Sequence, residues 1–313
     1  MNGKRALGNS LLVLTAMLWG TAFVGQRAGM ADIEPITFTA ARMTLAAVAV
    51  GLVALAWGRV AGENSQAPVV EESRRRHGTI IGGVCCGAFL AAASIFQQMG
   101  IVHTTAGKAG FITAMYILLV PVVSFLIFRR RTTRLVWLAV LIGVAGMYLI
   151  CMTEGFSPAR GDALVGISAL LFSGHILCCD HFARIADPIR VSAIQFTTAA
   201  ALSAVVALMV EDPSWGRIVS AAIPIVYCGL VSGGIGYTLQ ITAQRFTDPT
   251  VAALLLSLEA VFAVVAGAVL LGERMSPRET AGCVVMLVAI VLAQVPSRAR
   301  EGVGAASAGS SAG

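Results

Sequence analysis

Several ionisable side chains of this 313-residue sequence stand inside long apolar runs, where a charge is expensive. An acidic or basic side chain at the centre of a bilayer costs roughly 2.5–3.5 kcal/mol on insertion scales, which makes it a functional candidate by default. Glu259 lies well inside such a run. Because burial disfavours the ionised carboxylate, Glu259 could bind and release a proton. The alternative is a structural carboxyl that hydrogen-bonds a neighbouring helix.

Three basic side chains share this kind of surrounding. Arg42 could attract a substrate carboxylate, or it could form a structural pair or extend to the surface. Lys108 could guard the outer mouth of a pathway, or its long stem could simply carry the ammonium group to the interface. His175, with Asp180 and His181 further along the same run, could relay protons. A histidine in this position could equally donate a hydrogen bond to a neighbouring helix.

Neutral polar and aromatic side chains complete the candidate site. The hydroxyl of Tyr116 could serve a substrate or Glu259, or the ring could pack in the core. Gln97 and Gln240 could hold a polar substrate without the cost of a charge, but such amides also join helices to each other. Trp19 either packs its helix or shapes a cavity wall.

The secondary-structure elements that carry these side chains must be able to span a membrane. The chain is 57% hydrophobic and 12% charged, with a mean hydropathy of +0.84, whereas soluble domains carry about 25% charged residues. This composition excludes a soluble enzyme, a disordered protein and a nucleic-acid binder. A spanning helix needs about 20 apolar residues. We predict ten such helices, over residues 8–28, 35–57, 78–102, 105–128, 135–152, 162–183, 189–210, 217–240, 249–271 and 280–295.

The basic residues orient these helices. With the N-terminus inside, fifteen of the 22 Lys and Arg residues fall in inner loops or termini. The outer loops hold only Arg160, Arg217, Arg274 and Arg278. This positive-inside bias predicts that both termini are cytoplasmic. The one long loop is predicted over 58–77, and the Gly/Ala/Ser stretch at the end of the chain is predicted to be disordered.

The two halves of the sequence resemble each other. Gly8, Trp19 and Pro35 align with Gly161, Phe172 and Pro188 at a shift of 153 residues. At a shift of 143, the following pairs align: Gln97 with Gln240, Thr104 with Thr247, Ala109 with Ala252, Tyr116 with Glu259 and Arg131 with Arg274. Since each half has five helices, the second half enters the membrane from the opposite side. The sequence therefore predicts an all-α polytopic membrane protein, with ten transmembrane helices as two inverted five-helix repeats.

Local signals refine these helices. Asp187-Pro188 and Asp248-Pro249 each place a capping acid before a first-turn proline, which predicts a helix start. Pro121 and Pro224 fall inside predicted helices and permit kinks. The seven cysteines lie within or at the ends of predicted helices and are interpreted as packing residues, not as metal ligands or a disulfide framework.

An ordered set of short motifs covers residues 8–295. In the first half they are Leu18-Trp19-Gly20-Thr21, Arg42, Gln97-Gln98-Met99-Gly100, the run from Thr104 to Thr113, Tyr116 and Val120-Pro121. In the second half they are Gly236-Tyr237-Thr238-Leu239-Gln240, Gln244, Ser257-Leu258-Glu259, Val261-Phe262-Ala263 and Leu271-Gly272-Glu273-Arg274. With these motifs the chain resembles the EamA-like, ten-helix branch of the drug/metabolite transporter superfamily. The resemblance implies an alternating-access carrier, often an exporter of amino acids or drug-like compounds, and adds Tyr237 to the pathway candidates.

We therefore expect a secondary transporter, not an enzyme, that exports a small metabolite across the cytoplasmic membrane and is coupled to protons through Glu259. The alternatives are an intramembrane enzyme acting on lipid or peptide, or an uncoupled facilitator or channel. The expected partners are a small-molecule substrate, the lipid bilayer and protons, with no nucleic acid, cofactor or metal, and with a monomer or weak homodimer as the assembly. The expected units are repeats over 1–152 and 153–296 and a cytoplasmic tail over 297–313.

Overall fold

The computed structural model describes residues 3–30, 33–62, 69–103, 106–130, 132–151, 160–271 and 275–295. Within these ranges every regular element is a helix. The first half contains α1 (Gly3–Gly29), α2 (Pro35–Gly62), α3 (Val69–Ile101), α4 (Ala106–Thr113), α5 (Tyr116–Phe128) and α6 (Arg134–Cys151). The second contains α7 (Arg160–Ala183), α8 (Pro188–Val210), α9 (Trp215–Ser220), α10 (Ala222–Val226), a π-helix (Tyr227–Tyr237), α11 (Thr238–Gln244), α12 (Pro249–Leu256), α13 (Glu259–Leu271) and α14 (Pro277–Gln294).

These helices form ten spans. Nine described segments have the length and apolarity to cross a membrane. The first span, α1, adds a tenth with 27 residues, more than the roughly 20 that a bilayer requires. The fourth span comprises α4 and α5, the eighth runs from α10 through the π-helix to α11, and the ninth comprises α12 and α13. The predicted fold class, an all-α polytopic membrane protein, is confirmed.

Two predicted boundaries are wrong. Both ends of the segment predicted as a loop over 58–77 are helical, because α2 continues to Gly62 and α3 begins at Val69. Arg75 and Arg76 are helical and exposed, since charged residues with good helix propensity can extend a helix beyond the bilayer. The eighth span was predicted over 217–240, but it runs over 222–244, after the separate short helix α9. The predicted tail over 297–313 lies outside the described residues.

The predicted helix starts at the two Asp-Pro pairs are confirmed. The carboxyl group of Asp187 accepts hydrogen bonds from the backbone N–H groups of Ile189 and Arg190, at 3.0 and 3.1 Å. The carboxyl group of Asp248 accepts from the N–H of Thr250 at 3.0 Å. Each acid thus satisfies first-turn donors that a helix leaves free.

Contacts within the bundle follow the inverted repeat. Gly8, near the start of the first span, packs so closely on the chain at Ala243 and Thr247 that a Cβ atom would lie 2.7 Å from the Thr247 hydroxyl. Gly161, at the start of the sixth span, packs in the same way on Gly100 and His103. Gly8 aligns with Gly161 and Ala243 with Gly100 at the repeat shifts, so equivalent residues make equivalent contacts at opposite membrane faces.

Polar contacts join the two halves at each face. On one face, Arg217, which follows the seventh span, pairs with Glu34, which precedes α2. Beside them Glu211 accepts from the N–H groups of Ile36 and Thr37, at 2.9 and 2.6 Å. On the other face, the buried Asp180 of α7 binds Arg130 and Arg184.

Two spans are broken at equivalent positions, which the sequence analysis did not predict. The fourth span turns at Ala114–Met115 and the ninth at Ser257–Leu258, positions that correspond at the shift of 143. Both breaks use the same short hydrogen bonds, from the N–H of Met115 to Ile112 O (3.1 Å) and from the N–H of Leu258 to Leu255 O (3.2 Å). These three-residue spacings are those of a 3₁₀ turn.

Candidate functional site

A cavity lies between the two halves. It is lined by Trp19, Gln26, Arg42, Gln97, Thr113, Tyr116, Phe172, Ser232, Tyr237 and Glu259. The volume of this cavity is about 40 Å³, which is room for a few water molecules, so the lining side chains lie close together in this conformation. Six of the nine pathway candidates from the sequence line it, and both halves contribute.

In each broken span, the second helix begins at this cavity. Tyr116 is the first residue of α5 and Glu259 is the first residue of α13. Each follows an eight-residue helix with a rise of roughly 12 Å, so both breaks fall inside an apolar layer about 30 Å thick. Interrupted helices that end near the midplane are a typical means of binding substrate in transporters.

The hydroxyl group of Tyr116 donates a hydrogen bond to Glu259 Oε1 over 3.0 Å. Both side chains are buried, with exposures of 3% and 7%. The residues that the repeat alignment pairs are thus direct partners across the interface between the halves. The carboxyl group is held by one neutral donor and has no ion pair among the described residues.

Aromatic rings form one wall of the cavity. Trp19 and Tyr237 pack with ring centroids 4.6 Å apart. The indole N–H of Trp19 donates to the carbonyl of Ser232 at 3.0 Å, within the π-helix. Gly236 allows this approach, because a Cβ atom there would lie 2.7 Å from the indole nitrogen. Phe172, the repeat equivalent of Trp19, lines the same cavity.

Polar side chains line the rest of the cavity. Gln97 donates to the hydroxyl of Thr113 over 3.2 Å. Gln26 of α1 and Arg42 of α2 are buried, and Gln26 Oε1 and Arg42 Nε have no hydrogen-bond partner. The described residues include no ion pair of Arg42. A permanent positive charge and a carboxyl group therefore lie in one cavity without neutralising each other.

Two buried candidates are not among the residues that line the cavity. Gln240, the repeat equivalent of Gln97, is fully buried and neither of its amide atoms has a hydrogen-bond partner. His175 bonds to Gln195 through Nε2 at 2.9 Å and meets the edge of Tyr237 at 5.6 Å. The side chain of Lys108 lies outside the described part of the structure.

The groups of the considered proton relay are not brought together. His175 faces Gln195, whereas Asp180 is bound by two arginines and His181 is exposed against Phe182. Ser173, two residues before His175, donates its hydroxyl to the carbonyl of Ala169 at 2.8 Å. An intramembrane enzyme, the alternative function, could use Ser173 as a nucleophile with His175 as its base, but the two side chains bond elsewhere and do not form such a pair.

Sequence reasoning missed four lining residues. Gln26 was a polar side chain in an apolar run, and the rule that selected Gln97 would have found it. Phe172 was already aligned with Trp19, and Thr113 lay within a motif that was singled out. Ser232 had no comparable signal, because its position depends on the π-helix.

Comparisons with known proteins agree with this architecture. The model of the EamA-like transporter family matches residues 6–152 and 159–294. A curated protein of Archaeoglobus fulgidus, described as an uncharacterized transporter, is 26% identical over 293 residues, which is 92% of this chain and 86% of that protein. A solved crystal structure with 20% identity superposes with a TM-score of 0.74 over 94% of this chain and 98% of that one. The latter likeness shows the shared fold.

Ten spans in two inverted repeats around a central cavity define a multi-pass membrane transporter. The chain belongs to the EamA-like transporter family, as the matches to both halves show. The predicted membership of the drug/metabolite transporter superfamily is thereby confirmed. A small-molecule substrate and a membrane environment follow from this membership.

Proposed function

We propose that this protein is a secondary active transporter that exports a small metabolite, amino-acid-like or drug-like, across the cytoplasmic membrane by alternating access. The observation that carries the proposal is the meeting of Tyr116 and Glu259 at the broken ends of two equivalent spans. Two halves of opposite orientation can rock around such a central site, which exposes it to each side in turn.

We further propose that Glu259 couples this cycle to protons. A proton taken up from outside neutralises the carboxyl group, and its release inside completes an antiport cycle with the exported substrate. The hydrogen bond to Tyr116 supplies the difference in interaction between two states that a conformational switch requires. The absence of a positively charged partner on Glu259, among the described residues, supports this role, since an ion pair would hold the carboxylate ionised.

The test begins with the exported compound. Metabolites in the medium of cells with and without the protein identify a candidate substrate, which is then loaded into proteoliposomes under an imposed pH gradient. Glu259→Gln keeps the shape of the side chain but cannot ionise. We expect this variant to reduce gradient-driven accumulation by at least about tenfold, while substrate exchange at equal pH persists.

Asp212→Asn is the matched control, because Asp212 is an exposed carboxyl outside the cavity. It should transport as the parent does. If Glu259→Gln still concentrates substrate under the pH gradient as well as the parent, Glu259 is not the coupling residue. If parent and variant only equilibrate the substrate, the protein is an uncoupled facilitator.

A further inference from the structure

We propose that Arg42 is the anion-binding residue of the central cavity and that the transported compound carries a carboxylate that pairs with it. This inference rests on the proposed function, because it assigns a chemical class to the substrate of the same cavity. It starts from the surroundings of Arg42 and does not depend on proton coupling.

The first observation is a buried cation that has no ion pair in the part of the chain that the structure describes. Arg42 is 4% exposed and lines the cavity. A guanidinium group remains protonated in proteins, and a buried charge without a partner costs several kcal/mol. Glu259, the carboxyl group in the same cavity, accepts its hydrogen bond from Tyr116 instead. Among the described residues, no other acidic side chain lines the cavity.

The second observation is that the cavity lining contains unused hydrogen-bonding capacity. Arg42 Nε has no hydrogen-bond partner, and Gln26 presents an amide with an unpaired oxygen. Amide oxygen and nitrogen can exchange places by rotation about χ3, so Gln26 can present its NH₂ group to an anion. The fork of a guanidinium group suits the planar geometry of a carboxylate, and an amide NH₂ can donate to the same kind of anion.

The third observation concerns the rest of the cavity. Trp19, Phe172 and Tyr237 line it with aromatic surface, which suits an organic body attached to the anionic group. The cavity volume is about 40 Å³ in this conformation, so the space between the halves must widen to admit such a body. The chemistry of the lining thus matches an organic carboxylate better than a free inorganic ion or an organic cation.

The stability of the empty protein gives a test that needs no ligand. If Arg42 stabilised the folded protein through an ion pair, its replacement would lower the unfolding temperature. Because it is unpaired, Arg42→Gln removes the cost of a buried charge and should leave the thermal midpoint in detergent unchanged or raise it. Arg190→Gln, at an exposed position of α8, is the control for loss of one positive charge.

Binding is tested with four compounds of similar size: benzoate, benzamide, benzylamine and phenyl phosphate. We expect millimolar benzoate to raise the thermal midpoint of the parent and of Arg190→Gln, as a ligand of the folded state does. The neutral and cationic compounds should have no such effect. In Arg42→Gln the affinity for benzoate should fall by at least about 30-fold, the usual minimum for loss of one partner of a buried charge pair.

Several results would overturn the assignment. These are a lower midpoint for ligand-free Arg42→Gln than for Arg190→Gln, equal stabilisation of the parent by benzamide and benzoate, failure of benzoate to stabilise the parent, or retained benzoate binding in Arg42→Gln. Stronger stabilisation by phenyl phosphate than by benzoate would assign Arg42 to phosphate and refute the carboxylate. None of these measurements uses a pH gradient, so they are independent of the outcome for Glu259.

Discussion

The hydrogen bond between Tyr116 and Glu259 joins the two repeats within the cavity. A hydrogen bond to an ionisable partner is worth about 1.5–3 kcal/mol when buried, and here both partners begin a helix after a break. A movement that separates α5 from α13 at this point would lengthen the bond. The bond is therefore the contact through which protonation of Glu259 can bias the arrangement of the halves.

Removal of the Tyr116 hydroxyl group should weaken the coupling of transport to the pH gradient, while substrate exchange persists. Tyr116→Phe keeps the ring and deletes only the donor to Glu259. We expect gradient-driven transport in proteoliposomes to fall roughly tenfold, the rate equivalent of about 1.4 kcal/mol, while exchange at equal pH changes little. Tyr148→Phe is the control, because Tyr148 is 43% exposed on the outer surface of the bundle. Equal coupling in both variants would show that the hydroxyl group is dispensable.

Among the helices, α6 and α14 pack through a reciprocal glycine contact. A Cβ atom on Gly146 would lie 2.9 Å from the backbone nitrogen of Met286, and one on Gly282 would lie 2.8 Å from Gly146 O. Small residues allow helices to approach closely where lipid supplies no hydrophobic force between them. This crossing joins the fifth and tenth spans, which are equivalent in the two repeats.

Gly282→Ala should therefore destabilise the protein, by about 1–3 kcal/mol, since overpacking forces backbones apart. Gly166→Ala is the matched control, because a Cβ atom on Gly166 meets no atom within 4 Å. The control should be as stable as the parent or gain up to about 1 kcal/mol from helix propensity. Thermal unfolding in detergent measures both, and equal midpoints would argue against a tight crossing.

The ends of α5 and α7 are joined by Asp180. Arg129 adopts a left-handed conformation, with φ of 53°, that ends α5 and turns the chain. Arg130 then reaches Asp180 at 2.5 Å, and Arg184 reaches its other oxygen at 2.8 Å. At the repeat shifts, Asp180 aligns with Arg27 and Arg130 with Glu273, so the sequence repeats the pair with its charges exchanged. The side chains of Arg27 and Glu273 lie outside the described part.

Loss of the Asp180 contacts should open the cavity toward the predicted cytoplasmic face. We expect Asp180→Asn to increase labelling of a cysteine at Ser232 by an impermeant maleimide in inside-out vesicles. The increase should be about fivefold, since a half-exposed ion pair is worth up to about 1 kcal/mol.

Glu34→Gln is the control for this experiment, because Glu34 pairs with Arg217 at the opposite face. It should increase labelling only from the other side of the membrane. The same labelling rate for Asp180→Asn and the parent would show that these ion pairs do not close the cavity.

For the whole molecule, the alternation of spans and the distribution of basic residues predict one orientation. In a variant without the native cysteines, the thiol introduced by Ser214→Cys should react with an impermeant maleimide in intact cells. The thiol introduced by Ser65→Cys should react only in inside-out vesicles. The reverse result would refute cytoplasmic termini, because the positive-inside bias would then have the wrong sign.

The sequence by itself determined the architecture, for physical reasons that act locally. Apolar runs of spanning length, helix starts such as Asp187-Pro188, and five helices in each half require no knowledge of packing. The same patterns selected Tyr116, Glu259 and Arg42, because polar groups in lipid are costly wherever they lie along a span. The repeat alignment by itself also pairs Tyr116 with Glu259.

Only the tertiary structure decided which polar groups meet. The breaks at Ala114–Met115 and Ser257–Leu258 carry no glycine or proline, so no local signal announced them. Gln97 and Gln240 are equivalent in sequence, yet only Gln97 reaches the cavity. Within the described ranges, Arg42 has no counter-ion whereas Asp180 has two, and this difference depends on neighbours that are distant in sequence. Partners of this kind depend on how ten helices pack, which no single span encodes.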